Sequence, residues 1–543
     1  MVRLVSRDWP GDERLLKGIC RVPSMDILHV SFHKNNSLPP SSRAINLQSS
    51  SARELKAYYA LLLLILALIL IPIWIVDYPN MIDYPNHLTR CFILAHYHEN
   101  PLWQQRYSID FTPIPNLAID LVVVPLAKFL PLLLCGKLFL SLTAVLYVLG
   151  CSEVGRALNG KPNWLALLCA FTFYNAQLLF GFVNFVFGIG AFLCVFAFWL
   201  RVRSRMTAWS FLLFCLLSCA VYLTHLSAIV FLGIACLTTA LFEYADERKL
   251  ARFFAQVSWL ASPVLLAVLS FRNSGSVSTL KWGGAWLKRI GLLGSPFRAY
   301  SFRWDLGFGV ILLACLLVVF IGAKVHRAAI IGLIFFVLLF ITPEGMLTAK
   351  HVAERYAVPG FILLLLSIEP KWGRWNKIAM ALALATMTLH TGVVAANWLS
   401  FNRDARQVLA MGQILPEGAR VFVLQPIRNA YAESSREHAI VDRKMRFVHL
   451  IQYWTLSRDA DLSTLFAIPG QQPLVVRHTH CHIATAEEMT DPSCFAGADF
   501  IWTYEPAPAS RQALSKTATP IEVWDKVTLW RTNQAPATSQ SVR

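Results

Sequence analysis

Of 543 residues, 56% are apolar and only 15% are charged, with a mean hydropathy of +0.50. Soluble domains usually carry about a quarter charged residues, so this composition excludes an ordinary soluble protein. The formal net charge of +17 is scattered over short loops between apolar blocks, not gathered on one soluble face, which argues against nucleic acid as a partner.

Residues 1–50, mixed in charge and rich in Ser, Pro and Asn, read as a disordered cytoplasmic tail, or as the product of a start codon placed too early. Tyr58 to Val76 contains no charge and suffices to cross a hydrocarbon core, which takes roughly 20 residues. In that setting only helix satisfies the backbone. The block is too long for a cleaved signal peptide, and Asp77-Tyr78-Pro79 follows where a small-residue cleavage site is needed.

The next stretch holds the strongest chemical signal, Asp83-Tyr84-Pro85-Asn86-His87-Leu88-Thr89-Arg90. A helix starting near Pro85 places Asp83 at its N-terminus, where the dipole favours a carboxylate. His87 and Arg90 then share a face, and Phe92 to Ala95 continue an amphipathic pattern suited to the membrane surface. A carboxylate at the membrane edge with His and Arg nearby could act as a general base. The alternative is that Asp83 caps the helix and Arg90 meets lipid headgroups.

Leu117 to Leu134 is apolar enough to span, but crossing there would invert every later loop. Lys and Arg concentrate in loops left in the cytoplasm. The basic loops are Arg156/Lys161, Arg201/Arg203/Arg205, Arg248/Lys249/Arg252, Lys324/Arg327 and Lys371/Arg374/Lys377. Placing all of them inside, with Arg53 and Lys56, requires 117–134 to lie in or re-enter the outer leaflet, with Lys128 and Lys137 outward or snorkelling. Eleven spans result, near 57–76, 138–155, 163–180, 183–201, 207–223, 225–242, 252–271, 306–323, 328–343, 357–370 and 377–396. The N-terminus is then inside and everything after Asn397 outside.

Outward ends of spans are polar. Asn175, Gln177 and Asn184 flank the third-to-fourth turn, where Gly181 and Gly188 permit close helix approach. Tyr222 and His225 sit at the next pair, and Glu344, Lys350, His351, Glu354, Arg355 and Tyr356 fill one loop. Each alone reads as an interhelical hydrogen bond; together they could line one outward cavity. The outward loop 272–305 breaks the charge rule with Arg272, Lys281, Lys288, Arg289, Arg298 and Arg303, interleaved with Trp282, Trp286, Phe297, Tyr300, Phe302 and Trp304. Such a segment either anchors to anionic membrane lipids or stabilises a departing lipid phosphate.

Residues 397–535 form a small outer α/β domain, with strands at Val421–Leu424 and Pro473–Val476, helical pattern over 404–415 and 443–456, and a strand pair near 522–530. Residues 536–543 are a frayed tail. Cys481 and Cys494 stand apart from the cysteines of the spans, and an oxidising compartment favours a disulfide between them. The competing reading is zinc on Cys481 with His478, His480 and His482, which strand alternation puts on one face.

This arrangement resembles the GT-C superfamily of integral-membrane glycosyltransferases. The resemblance rests on Asp83-Tyr84-Pro85-Asn86-His87-Leu88-Thr89-Arg90 and on Phe180-Gly181-Phe182-Val183-Asn184-Phe185, with the non-crossing helix at 117–134 in support. It covers most of residues 57–396 in architecture, while the matching sequence is short and diffuse and shows no acidic pair of the metal-dependent branch. It implies a polytopic α-helical membrane protein of a bacterial inner membrane, with in-plane helices in the first outer loop and a periplasmic C-terminal domain. It also implies transfer of a sugar from a polyprenyl-phosphate donor to an envelope acceptor, with inversion and without cofactor or metal. Asp83 is then the base, and His87 or Arg90 orients it or binds phosphate. Asn184, His225, Lys281, Arg289, Arg298, Arg303, His351 and Arg355 are the expected substrate contacts, and His449, Tyr453 and Trp454 face the acceptor. The alternatives are a lipid or solute transporter or flippase, against which stand the missing repeat and missing broken-helix pair, and a non-catalytic GT-C-like scaffold in envelope assembly.

Overall fold

A computed structural model describes residues 52–271, 280–282, 286–346, 350–424, 447, 449–477, 497–506 and 508–533. Cys481, Cys494 and the three neighbouring histidines lie outside the described residues, as do both termini.

The first long excursion between spans follows α1 (Ala52–Trp74) and carries three short helices, α2 (Tyr84–His96), α3 (Pro101–Arg106) and α4 (Ala118–Ala127). Next come α5 (Leu132–Asn159), α6 (Leu165–Phe171), α7 (Ala176–Phe180), α8 (Val183–Val202), α9 (Ala208–Thr224) and α10 (Leu226–Glu247). Then follow α11 (Leu250–Val257), α12 (Ala261–Phe271), α13 (Trp286–Leu292), α14 (Phe302–Phe320), α15 (Ala329–Ile341), α16 (Ala357–Leu366) and α17 (Arg374–Met411). The outer domain adds α18 (Trp454–Arg458) and α19 (Pro508–Thr517).

Seven helical segments among the described residues are long and apolar enough to cross a membrane: Arg53–Trp74, Leu132–Asn159, Val183–Val202, Leu226–Glu247, Leu250–Ser270, Arg303–Phe320 and Arg374–Ile414. The four other expected spans fall on the shorter helices α6–α7, α9, α15 and α16. The expected span at 163–180 is broken between α6 and α7, where the Asn175 side chain accepts from Leu178 N and starts a new helix.

The segment 117–134 is not one spanning helix. Its helix α4 has ten residues, about 15 Å at 1.5 Å per residue against a core of about 30 Å, and α5 begins afresh after Pro131. Contacts fix independently which ends of α1 and α5 lie together. Lys137 at the start of α5 lies 3.6 Å from Asp77, just past α1, and Trp74 Nε1 donates to Ser141 Oγ. At the opposite end Arg156 donates to Tyr59 Oη at 2.9 Å. So α1 and α5 run antiparallel, and the chain from Asp77 to Lys137 leaves and returns on one side.

The basic loops gather at the other end. Glu153 joins Arg156 to Arg201, Glu243 joins Arg203 to Arg252, Asp246 holds Arg327, and Glu369 holds Lys161. Residues Lys324–Val325 pair with Ile368–Glu369 as a two-stranded ribbon. Five loops distant in sequence therefore share one face, as a positive-inside bias requires.

The long helix α17 runs unbroken through Asn397, so the compositional change there falls inside a helix whose last turns carry the outer domain. Its 404–415 stretch is the end of that helix, not a separate element. Asn402 Oδ1 accepts from the backbone of Asp77 and Tyr78, and Arg406 pairs with Asp77 at 2.8 Å, fixing α17 to the exit of α1. The outer domain is a five-stranded sheet in the order 518–524, 527–532, 500–504, 420–424, 461–462. The first three strands are antiparallel; Arg420–Leu424 is parallel to both its neighbours. The expected strand pair near 522–530 is the hairpin joining Ala518–Trp524 to Val527–Thr532. A second ribbon pairs Tyr107–Ile109 with Leu474–Val476, stitching the domain to the first long excursion.

Candidate functional site

The site forms around α2. Pro85 in its first turn suits a helix start and Asp83 is the N-cap residue, yet the Asp83 carboxylate makes no capping hydrogen bond. Nor does α2 lie on a surface: eleven of its thirteen residues are buried, because bundle helices cover one side and the outer domain the other. Thr89 donates to Gln452 O, and Asn86 donates to Thr464 O, both in the outer domain.

Two sequence motifs almost a hundred residues apart meet here. Asp83 N donates to Phe180 O at 3.0 Å, and Ile82 N to Leu179 O at 3.2 Å. Gly181 follows with φ +90°, and a Cβ there would stand 2.5 Å from Asp83 N. Only glycine combines that left-handed backbone with so close an approach. The α7–α8 turn thus clamps the backbone of Asp83 without engaging its carboxylate.

The Asp83 carboxylate is 20% exposed and its Oδ1 lies 3.5 Å from His449 Nε2. Desolvation pushes its pKa up to about 7, against the opposing pull of His351 and Lys350. A carboxyl of this kind is divided between acid and base near neutral pH, the range general catalysis uses. Burial pushes the His87 pKa well down, with help from Arg90 and His449; its ring stands edge-on to Phe466 at 5.6 Å, and its Nδ1 has no partner among the described residues.

On the bundle side, His351 stacks near Phe180 and Phe182, with ring centroids 5.1 and 6.0 Å away. Its Nδ1 lies 3.2 Å from Glu354 Oε2, and Ser295 donates to the other oxygen of that buried carboxylate. The Arg355 guanidinium lies over Phe182 and Phe185, 3.4 Å from His225 Nε2 and donating to Lys350 O. Its buried Nε has no partner among the described residues. Burial lowers the Arg355 pKa to about 10, so the side chain stays cationic at neutral pH.

Several expected site residues are engaged elsewhere. Arg90 is fully buried in a two-bonded pair with Asp120, at 2.8 and 2.7 Å. It locks α2 to α4, and neither lipid headgroups nor Asp83 is its partner. Asn184 accepts from Ile119 N and donates to Asn116, holding the start of α4. Arg289 donates to the carbonyls of Leu339, Phe340 and Thr342, covering the C-terminal end of α15. Arg303 lies in the exposed first turn of α14, and Lys281 is known by its backbone, paired with Gly345. Arg298 is half-buried and acts electrostatically on Glu354. Trp454 is fully buried and donates to Leu409 O.

Sequence reasoning missed Asp120, Asn86 and the closeness of His449 to Asp83. Asp120 carried a signal, since an acid inside the apolar run 117–134 needs a buried partner. The outer-domain partners of α2 carried none.

No family model and no curated protein matches the chain in sequence. Among solved structures it is similar to ArnT from Cupriavidus metallidurans bound to undecaprenyl phosphate, at 11% identity and TM-score 0.50, covering 89% of this chain and 98% of that one. The apo state of the same protein matches at 12% identity and TM-score 0.50, covering 87% and 98%. The fold is therefore similar to that of ArnT.

Proposed function

We propose that this GT-C-fold chain is a membrane glycosyltransferase of a bacterial inner membrane that moves a sugar from a polyprenyl-phosphate donor to an envelope acceptor on the outer face. The ArnT-like fold supports a polyprenyl-phosphate-linked donor, since ArnT is seen with undecaprenyl phosphate bound. The observation that carries the reading for this chain is Asp83. It is an uncapped, largely covered carboxylate at a helix N-terminus, between the outer ends of the bundle helices and the outer domain.

In this reading an acceptor hydroxyl gives its proton to Asp83 as its oxygen bonds to the anomeric carbon. The bond from that carbon to the phosphate oxygen breaks, and the electron pair leaves on the polyprenyl phosphate, with inversion at carbon. Arg355 and Lys350 supply positive charge for the departing phosphate, with Arg298 behind them, and such charge lowers the barrier where it meets charge developing in the transition state. His225, whose pKa burial and Arg355 push well down, stands beside Arg355 as a neutral ring. Asn184, Arg289 and Arg90 hold the elements that carry these groups.

Purified protein is assayed with a panel of labelled polyprenyl-phosphate sugars, wild type beside Asp83→Asn. Release or transfer of sugar by wild type and its loss in the variant supports the reading. Equal turnover in both removes Asp83 as the base. Wild-type protein that moves labelled lipid between leaflets without cleaving the sugar is a flippase.

A further inference from the structure

The outer domain reaches the site through His449, and the state of its ring can be derived. The side-chain amide of Asn86 has only one orientation compatible with its neighbours. Its Oδ1 accepts from Phe466 N at 2.7 Å, and its Nδ2 donates to Thr464 O at 2.9 Å. A backbone N–H can only donate and a carbonyl can only accept, so the two ends of the amide cannot be exchanged. The same Nδ2 lies 2.7 Å from His449 Nδ1. An amide nitrogen is a donor, so Nδ1 must accept, and a neutral ring then carries its proton on Nε2. That Nε2 is the atom 3.5 Å from Asp83 Oδ1.

We propose that His449 is a positioning residue for Asp83, locked by Asn86 as the Nε2–H tautomer and donating to Asp83 Oδ1 in the loaded enzyme. The inference rests on the reading of Asp83 as the base. Hydrogen bonds at catalytic groups are often long in the empty enzyme and tighten around substrate. With Oδ1 occupied by an N–H, Oδ2 is the oxygen left to take the acceptor proton. Burial holds the His449 pKa down at about 3, so the ring stays neutral and supplies a directed dipole in place of a charge. Phe466 packs edge-on against both His87 and His449, at 5.6 and 5.3 Å, which fixes the ring plane. Asn86 and Asp83 lie three residues apart at the start of α2, while His449, Thr464 and Phe466 belong to the outer domain. The site is therefore complete only with that domain docked.

The test uses the full chain in detergent or nanodiscs. Nitrogen-15 spectra of histidine-labelled protein, with the His449 signals identified by their loss in His449→Gln, report the tautomer without any substrate. A protonated Nε2 beside a bare Nδ1 is expected at pH 7; a protonated Nδ1 overturns the inference. In turnover, His449→Phe should lower kcat about ten- to hundredfold, as expected for losing a hydrogen bond to a charged group. The donor KM should change little, and the alkaline-rising limb of kcat should move to higher pH because the ionised carboxylate loses a donor. His449→Gln, whose amide nitrogen can replace Nε2, should restore most of both. If His449→Phe keeps wild-type kcat and pH limb while Asp83→Asn is inactive, the positioning role is wrong and the base stands. If Asp83→Asn keeps full turnover, the base is wrong and the inference goes with it.

Discussion

Replacing Asp83 by Asn should make the protein inactive and, at alkaline pH, more stable. The folded-state pKa of about 7 stands about three units above the ordinary 3.8, and each unit corresponds to about 1.36 kcal/mol. The sign follows from which state binds the proton. Between about pH 4 and pH 7 the unfolded chain has lost the Asp83 proton while the folded chain still holds it, so stability falls as pH rises. It falls by roughly 1.4 kcal/mol per pH unit, reaching about 4 kcal/mol near pH 7, and is flat beyond. Asn is nearly isosteric with the protonated acid and cannot ionise. The variant should therefore match wild type near pH 4 and exceed it by about 4 kcal/mol at pH 8. Tryptophan-fluorescence melting of both proteins in the same detergent from pH 4 to 9 reads the gap, and wild-type turnover over the same range should rise as the gap opens. A gap that does not depend on pH would falsify the claim that Asp83 is buried with a raised pKa.

Gly181→Ala should cut turnover at least tenfold and destabilise the fold by about 1–2 kcal/mol from the left-handed backbone alone, read by assay and melting, since a Cβ there meets the Asp83 backbone. Arg90→Met and Asp120→Leu should each cost roughly 3–5 kcal/mol, while the double variant recovers most of it; a folded double variant without turnover would return Arg90 to the chemistry. Arg289→Ala should lower stability by about 1–3 kcal/mol by stripping the carbonyls at the end of α15, with the donor KM unchanged; a large rise in KM refutes that assignment. Reporter fusions after Arg156 and after Asn402 should report opposite sides of the membrane, and a shared side would contradict the antiparallel pairing of α1 with α5.

Architecture was legible because it depends on local quantities. Apolar length and loop charge are properties of a window, and parity alone placed 117–134 off the list of spans before Lys137 was seen beside Asp77. The same windows misjudged α2 as amphipathic and surface-lying. A hydropathy pattern registers one apolar face, and it cannot see that a domain 378 residues later covers the polar one, as in the Asn86 bond to Thr464.

The sequence could single out Asp83 as a candidate, but not the structural engagements of Arg90, Asn184 and Arg289. Arg90, Asn184 and Arg289 have the chemistry of ligand-binding groups, and from type and side alone they could not be told from Arg355. What separates them is partner choice: Asp120 for Arg90, the start of α4 for Asn184, three carbonyls for Arg289. Those partners lie 30 to 68 residues away in two cases and among backbone atoms in the third, so residue identity carries no trace of them. Arg355 instead keeps a buried Nε without a partner, and Asp83 keeps a carboxylate that its own helix does not use. An unpaired buried group costs free energy comparable to a lost hydrogen bond, and more when charged. Arg90 Nη1 is also buried without a partner among the described residues, so a bare nitrogen alone does not mark a site. What sets Arg355 apart is that it lies with Lys350 and His351, both within electrostatic reach of Asp83, where a substrate would complete the charges.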